Sequence, residues 1–164
     1  KELDGAAAAA TFTVGAKVYA IVASYDDDGV QLIDVSDPSN PVAVGSATDG
    51  ANGFVLNRPQ GVATFVISGS TYAIVASYND DGVQLIDVSD PSNPVAVGSA
   101  TDGVNGFTEL DEAVSVATFT IGASTYAIVA SYSDNGVQLI DVSNPSSPTA
   151  RLGRPRARTS LNKF

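Results

Sequence analysis

The sequence has no cysteine, no histidine and no tryptophan, and it is short of positive charge. Without cysteine there can be no disulfide, thiolate metal site or cysteine nucleophile. Without histidine the chain lacks the usual general base of neutral pH and the commonest transition-metal ligand. Long hydrophobic runs are missing too: none approaches the roughly 18 residues that a spanning helix needs. No basic-plus-apolar segment opens the sequence, which leaves an intracellular protein or one whose leader has been removed. Residues 1–150 hold three basic against eighteen acidic groups, a net of −15, and the other five basic residues all fall within 151–164. A body of that charge repels nucleic acid and anionic membrane, and it favours cations or basic partners.

What is present is a repeat. Tyr19–Phe54 and Tyr72–Phe107 are 36-residue segments that differ only at Asp26/Asn79 and Ala51/Val104. A third copy, Tyr126–Pro148, differs from the second at four of 23 positions, and the offsets are 53 and 54 residues. Each copy follows a matching short segment, at Ala10–Val14, Ala63–Ile67 and Ala117–Ile121.

Each unit reads as four short strands. In the middle copy the first is the Ala-Thr-Phe segment, the second runs from Thr71 to Tyr78, the third from Val83 to Val88, and the fourth begins at Val95. Asp-Gly, Asp-Gly and Asn-Gly pairs in the three copies are expected to supply the positive-φ positions of a tight hairpin. The Asp90–Pro94 run makes a rigid corner. Apolar residues occupy both parities of Ala73–Ala76 and of Leu85-Ile86, so both faces of the small sheet must be covered. Radially stacked blades cover them. The expected fold is therefore all-β and propeller-like, with three four-stranded antiparallel blades at about 6–46, 59–99 and 113–150 inside a domain of residues 1–150. Residues 151–164 read as a flexible or non-native basic tail.

The run Tyr-Ala-Ile-Val-Ala-Ser followed by Gly-Val-Gln-Leu-Ile-Asp-Val-Ser-Asp-Pro-Ser-Asn-Pro-Val resembles the LVIVD repeat. The resemblance covers nearly all of residues 6–150. It implies a β-propeller of bacterial or archaeal type, often at the cell surface, and it implies no reaction, because the family has no catalytic motif to carry over. The match departs from regularity at Ala6–Ala10, a plain alanine run where the third copy has Ala113-Val-Ser-Val-Ala117.

Three blades are fewer than the roughly four to eight of a closed ring. Two chains would make six. Self-association as a head-to-tail homodimer is expected, because an open stack leaves two apolar faces bare.

The acidic hairpin tips hold the candidate cation ligands Asp26, Asp28, Asp80, Asp81 and Asp134. Clustered carboxylates beside a glycine turn can give Ca²⁺ several of its six to eight oxygens. The spacing lacks the alternating rhythm and closing Glu of a calcium loop, however. An Asx-stabilised hairpin with solvated charges is the preferred reading, with Ca²⁺ as the alternative cofactor and otherwise none. Asp34, Asp87 and Asp141 are expected to brace their own Pro corners. Tyr19/Tyr25, Tyr72/Tyr78 and Tyr126/Tyr132, which flank the second strand, are expected to pack in the core or at its edge, with platforms that stack on sugars as the alternative. Glycosidase chemistry needs a carboxylate pair tuned apart, and near-identical blades would present every such site three times over. The expected function is therefore a non-catalytic module for protein interaction or a structural cell-surface role. A carbohydrate- or Ca²⁺-binding domain is the second reading, and a carboxylate hydrolase the third.

Overall fold

The computed structural model describes residues 3–151, so the expectation for the basic tail lies outside the described residues apart from Arg151. Among the described residues, twelve strands form three antiparallel meanders. The first sheet contains β1 (Ala6–Val14), β2 (Lys17–Ser24), β3 (Gly29–Asp34) and β4 (Val42–Thr48). The second contains β5 (Pro59–Ile67), β6 (Ser70–Ser77), β7 (Gly82–Asp87) and β8 (Val95–Thr101). The third contains β9 (Ala113–Ile121), β10 (Ser124–Ser131), β11 (Gly136–Asp141) and β12 (Thr149–Arg151). The fold class expected from the repeat is the fold found, with second and third strands that start and end one residue earlier than the sequence suggested.

Hairpin chemistry departs from expectation in one respect. Asp28, Asp81 and Asn135 take the left-handed conformation, with φ of 48°, 50° and 51°, while the glycines that follow them do not. Asp and Asn tolerate that region better than other side chains. Gly29 and Gly82 are required for space instead: a Cβ there would run into the Ala47 and Ala100 carbonyl oxygens of the neighbouring strand. At the Pro corners, Asp34, Asp87 and Asp141 each accept a hydrogen bond from the backbone N–H two residues on, at 3.0, 2.9 and 3.0 Å. That is the bracing role expected for them.

Blades pack through faces of opposite parity. Ala73, Val75, Ile86 and Val88 of the middle blade are buried with Ile21, Ala23, Val30 and Leu32 of the first. On the other face Ile74, Ala76, Val83 and Leu85 are buried with Ala127, Val129, Ile140 and Val142 of the third. The apolar residues on both parities are thus explained by one blade meeting two neighbours. Phe54 and Phe107, from the linkers, anchor in these same clusters. β1 lies against β5 and β5 against β9, so the first strand of each blade faces the axis. Thr64 donates to the Thr11 carbonyl and Thr118 to that of Thr64, both at 3.0 Å, stitching these inner strands together. On the rim, Gly45 and Gly98 let the next blade's corner approach, because a Cβ would strike the Pro91 and Pro145 carbonyl oxygens.

A buried glutamine ties each linker to its blade. Gln84 donates to the Leu85 and Gly98 carbonyls at 2.9 and 2.7 Å and accepts from Val55 N–H at 3.1 Å. Gln138 repeats this with Leu139, Arg151 and Thr108. Its three partners leave little of the buried amide unsatisfied, as burial demands.

Candidate ligand-binding mouth

The hairpins between second and third strands and the linkers between blades meet at one end of the axis. There the acidic residues hold backbone. Asp28 accepts from Arg58 N–H at 2.8 Å and Asp81 from Glu112 N–H at 3.0 Å, each clamping the start of the next blade. Asp80 accepts from Asn57 N–H and Asp134 from Asp111 N–H, both at 2.8 Å, fixing the linker to its own blade. Asp26 stands exposed at its hairpin tip. Four of the five cation candidates are therefore dispersed among separate backbone contacts, and the fifth stands apart from them. Among the described residues no three acidic side chains gather as a metal site.

Desolvation, with smaller contributions from like charges, raises the pKa of two carboxyls in this belt. Burial pushes Asp80 up against the opposing N–H bond, and Asp49, Asp28 and Asp81 add to the effect. Asp111 is raised by desolvation and by Asp81 and Asp134.

Inside the belt is a cavity of about 350 Å³ lined by Ala7, Tyr25, Gln60, Tyr78, Val114 and Tyr132. The tyrosines are repeat equivalents that follow β2, β6 and β10. The other three are equivalents as well, and each is the unpaired residue of a β-bulge near the start of an inner strand, where the register jumps from Ala6 to Ala8, from Pro59 to Gly61 and across Val114. A bulge re-aims a side chain that a regular strand would send elsewhere; here the three line the axial opening.

Two residues before each bulge stand Gly5, Arg58 and Glu112, all at positive φ of 65°, 52° and 53°. Arg58 lays its guanidinium over the Tyr25 ring at 5.1 Å and donates to the Tyr25 hydroxyl at 3.1 Å. Glu112 accepts from the Tyr78 hydroxyl, which pushes the Tyr78 pKa up to about 12, and from the Ser133 hydroxyl at 2.5 Å. Tyr25 and Tyr78 lie 6.5 Å apart, tilted by 57°. Tyr132 is 70% exposed.

The profile of the LVIVD repeat matches residues 18–49, 63–102 and 124–152, well over half of the sequence. The chain belongs to the LVIVD-repeat family. No curated protein matches it. Among solved structures, this LVIVD protein is similar to a protein of unknown function from Desulfotomaculum acetoxidans, with a TM-score of 0.66 and 12% identity over 91% of this chain and 42% of that one. It is also similar to the exo-β-1,3-galactanase 1,3Gal43A of Clostridium thermocellum, with a TM-score of 0.62 and 10% identity over 89% of this chain and 34% of that one. A Phanerochaete chrysosporium exo-β-1,3-galactanase gives 0.59 and 14%, over 90% and 37%. The LVIVD chain spans less than half the length of each. At these identities the likeness is one of propeller-like fold, which hosts many functions.

Of the two tyrosine sets noted in the sequence, one does pack at the edge. Tyr19, Tyr72 and Tyr126 stack on Phe12, Phe65 and Phe119 with ring centres 5.6–5.7 Å apart. The other set, Tyr25, Tyr78 and Tyr132, lines the mouth, where the sequence reading prefers packing to an aromatic platform. The signal was there: invariant tyrosines face positions where the three copies differ, Gly5/Arg58/Glu112 and Ala7/Gln60/Val114.

Proposed function

We propose that the chain is a non-catalytic interaction module of the cell surface that works as a head-to-tail pair. The observation that carries it is the equivalence of its open faces to its closed ones. The outer face of the first blade presents Ala20, Val22, Ile33 and Val35, the counterparts of Ala73, Val75, Ile86 and Val88, and all four are half-buried where those are fully buried. The outer face of the third presents Ile128 and Phe119, 39% and 37% exposed, where Ile74 and Phe65 are 0% and 8% exposed. A second copy offers each face the surface its counterpart already packs against. The match is not complete: Ala9 stands where the middle blade has Val62, and the last strand of the third blade also differs. Arg151 stands opposite Leu139 in the ladder, where Gly45 and Gly98 stand opposite Leu32 and Leu85. The joint between copies therefore forms with Arg151 at its rim, and Arg151→Gly is expected to tighten it. Sedimentation of the two proteins over a concentration series checks this, and equal dissociation constants count against it.

The commitment of the hairpin carboxylates to backbone N–H groups supports the absence of catalysis. A hydrolase reading would place the acid at Asp80 or Asp111, whose pKa values are raised. Assays on aryl β-galactosides and β-1,3-galactotriose test it: no turnover is expected, and turnover lost in Asp80→Asn or Asp111→Asn would establish an enzyme. Surface location is tested by protease shaving of the producing cells.

A further inference from the structure

We propose that the axial mouth takes a cationic side chain, an arginine or lysine from a basic segment of a partner protein, over the exposed face of Tyr132 beside Glu112. This deepens the interaction-module reading and rests on it.

The repeat itself supplies the comparison. The three blades are near copies, yet the residue that opens each blade at the mouth is Gly5, Arg58 or Glu112, and the bulge residue is Ala7, Gln60 or Val114. Differences at these positions make the opening asymmetric although the blades are near-identical. In the gap between the first two blades the chain provides its own cation: Arg58 covers Tyr25 and bonds to its hydroxyl. In the next gap the equivalent residue is a carboxylate. Glu112 is held between Tyr78 and Ser133, and its backbone carbonyl accepts from Tyr132 N–H at 3.0 Å. Tyr132, tied by its N–H to the Glu112 carbonyl, is 70% exposed, with no following blade of the same chain over its ring.

A cation over the Tyr132 face would repeat the Arg58–Tyr25 geometry, with Glu112 supplying the counter-charge. At an exposed ring the attraction of a cation is modest, and the open cavity of about 350 Å³ has room to seat the side chain. The net −15 of residues 1–150 draws basic segments and repels acidic ones. An uncharged sugar would gain nothing from that field.

The test titrates the full-length protein with a tetra-arginine peptide, its citrulline counterpart and maltotriose, followed by tyrosine fluorescence, which no tryptophan obscures. The arginine peptide is expected to bind, and the citrulline peptide, of nearly the same shape but uncharged, about tenfold more weakly or worse. Glu112→Gln and Tyr132→Leu should each weaken the arginine peptide about three- to tenfold, while Tyr132→Phe keeps the ring and the affinity. Circular dichroism confirms that each variant is folded. Equal binding of both peptides overturns the proposal. So does peptide binding indifferent to both Glu112→Gln and Tyr132→Leu, or maltotriose binding in place of the peptide. A negative peptide titration leaves the non-catalytic reading standing, since only hydrolytic turnover removes that.

Discussion

A side chain in this protein is best understood through what its two repeat equivalents do. Asp80 is partly buried and takes the Asn57 N–H, so Asp80→Ala strands a half-buried donor. The expected cost is about 1–2 kcal/mol, seen as a Tm lower by roughly 2–4 °C per kcal/mol. An unchanged Tm would mean that the contact is not made. Acid stability follows from the corner carboxylates. Hydrogen bonds from the Ser36 hydroxyl, the Lys17 ammonium and the Ser36 N–H hold Asp34 at about 2, below its ordinary 3.8. A depressed folded pKa gives stabilisation that is present above 3.8 and lost as pH falls toward 2. Asp80 and Asp111, both raised, act in the opposite sense, and their share is lost as pH rises. Asp34→Asn is therefore expected to flatten the fall of Tm between pH 4 and 2. A slope steeper than that of the parent protein would contradict the assignment.

At the scale of the element, strand identity was legible and strand detail was not. The β-branched runs, the Pro corners and the repeat offset together define four strands per blade, because each is a local pattern with a fixed period. The bulges at Ala7, Gln60 and Val114 leave no such trace, and they are what turn three inner-strand side chains toward the mouth. The glycine after each hairpin aspartate could be spotted, but its reason could not. Close approach of β4 and β8 to their neighbours decides it, and that is a tertiary fact. The same closeness makes a sharp test at Gly98, where the opposing group is the Pro145 backbone carbonyl. Gly98→Ala is expected to cost about 1–3 kcal/mol by overpacking, measured by urea unfolding. A variant as stable as the parent would show that the rim has room to spare.

For the whole molecule, the count of repeats was enough to foretell the architecture, whereas the differences around the axial opening come together only in the fold. Near-identical blades were expected to present every site three times, yet the residues around the axial opening differ between copies: Gly5, Arg58 and Glu112, and Ala7, Gln60 and Val114. Interfaces follow the same logic of equivalence. Ile74→Ala empties a fully buried position between blades and is expected to cost about 2–5 kcal/mol, whereas Ile128→Ala, on the open face, should cost a single chain well under half of that. In a pair the Ile128 side chain is covered, and its loss is read as weaker association.

The most direct measurement is the mass in solution by light scattering at micromolar concentration. A particle of about twice 16.6 kDa, shifting toward the single-chain mass in Ile128→Ala, is expected of two three-bladed chains that close six blades. A monodisperse particle of single-chain mass for the parent protein, held at tens of micromolar, would contradict the ring.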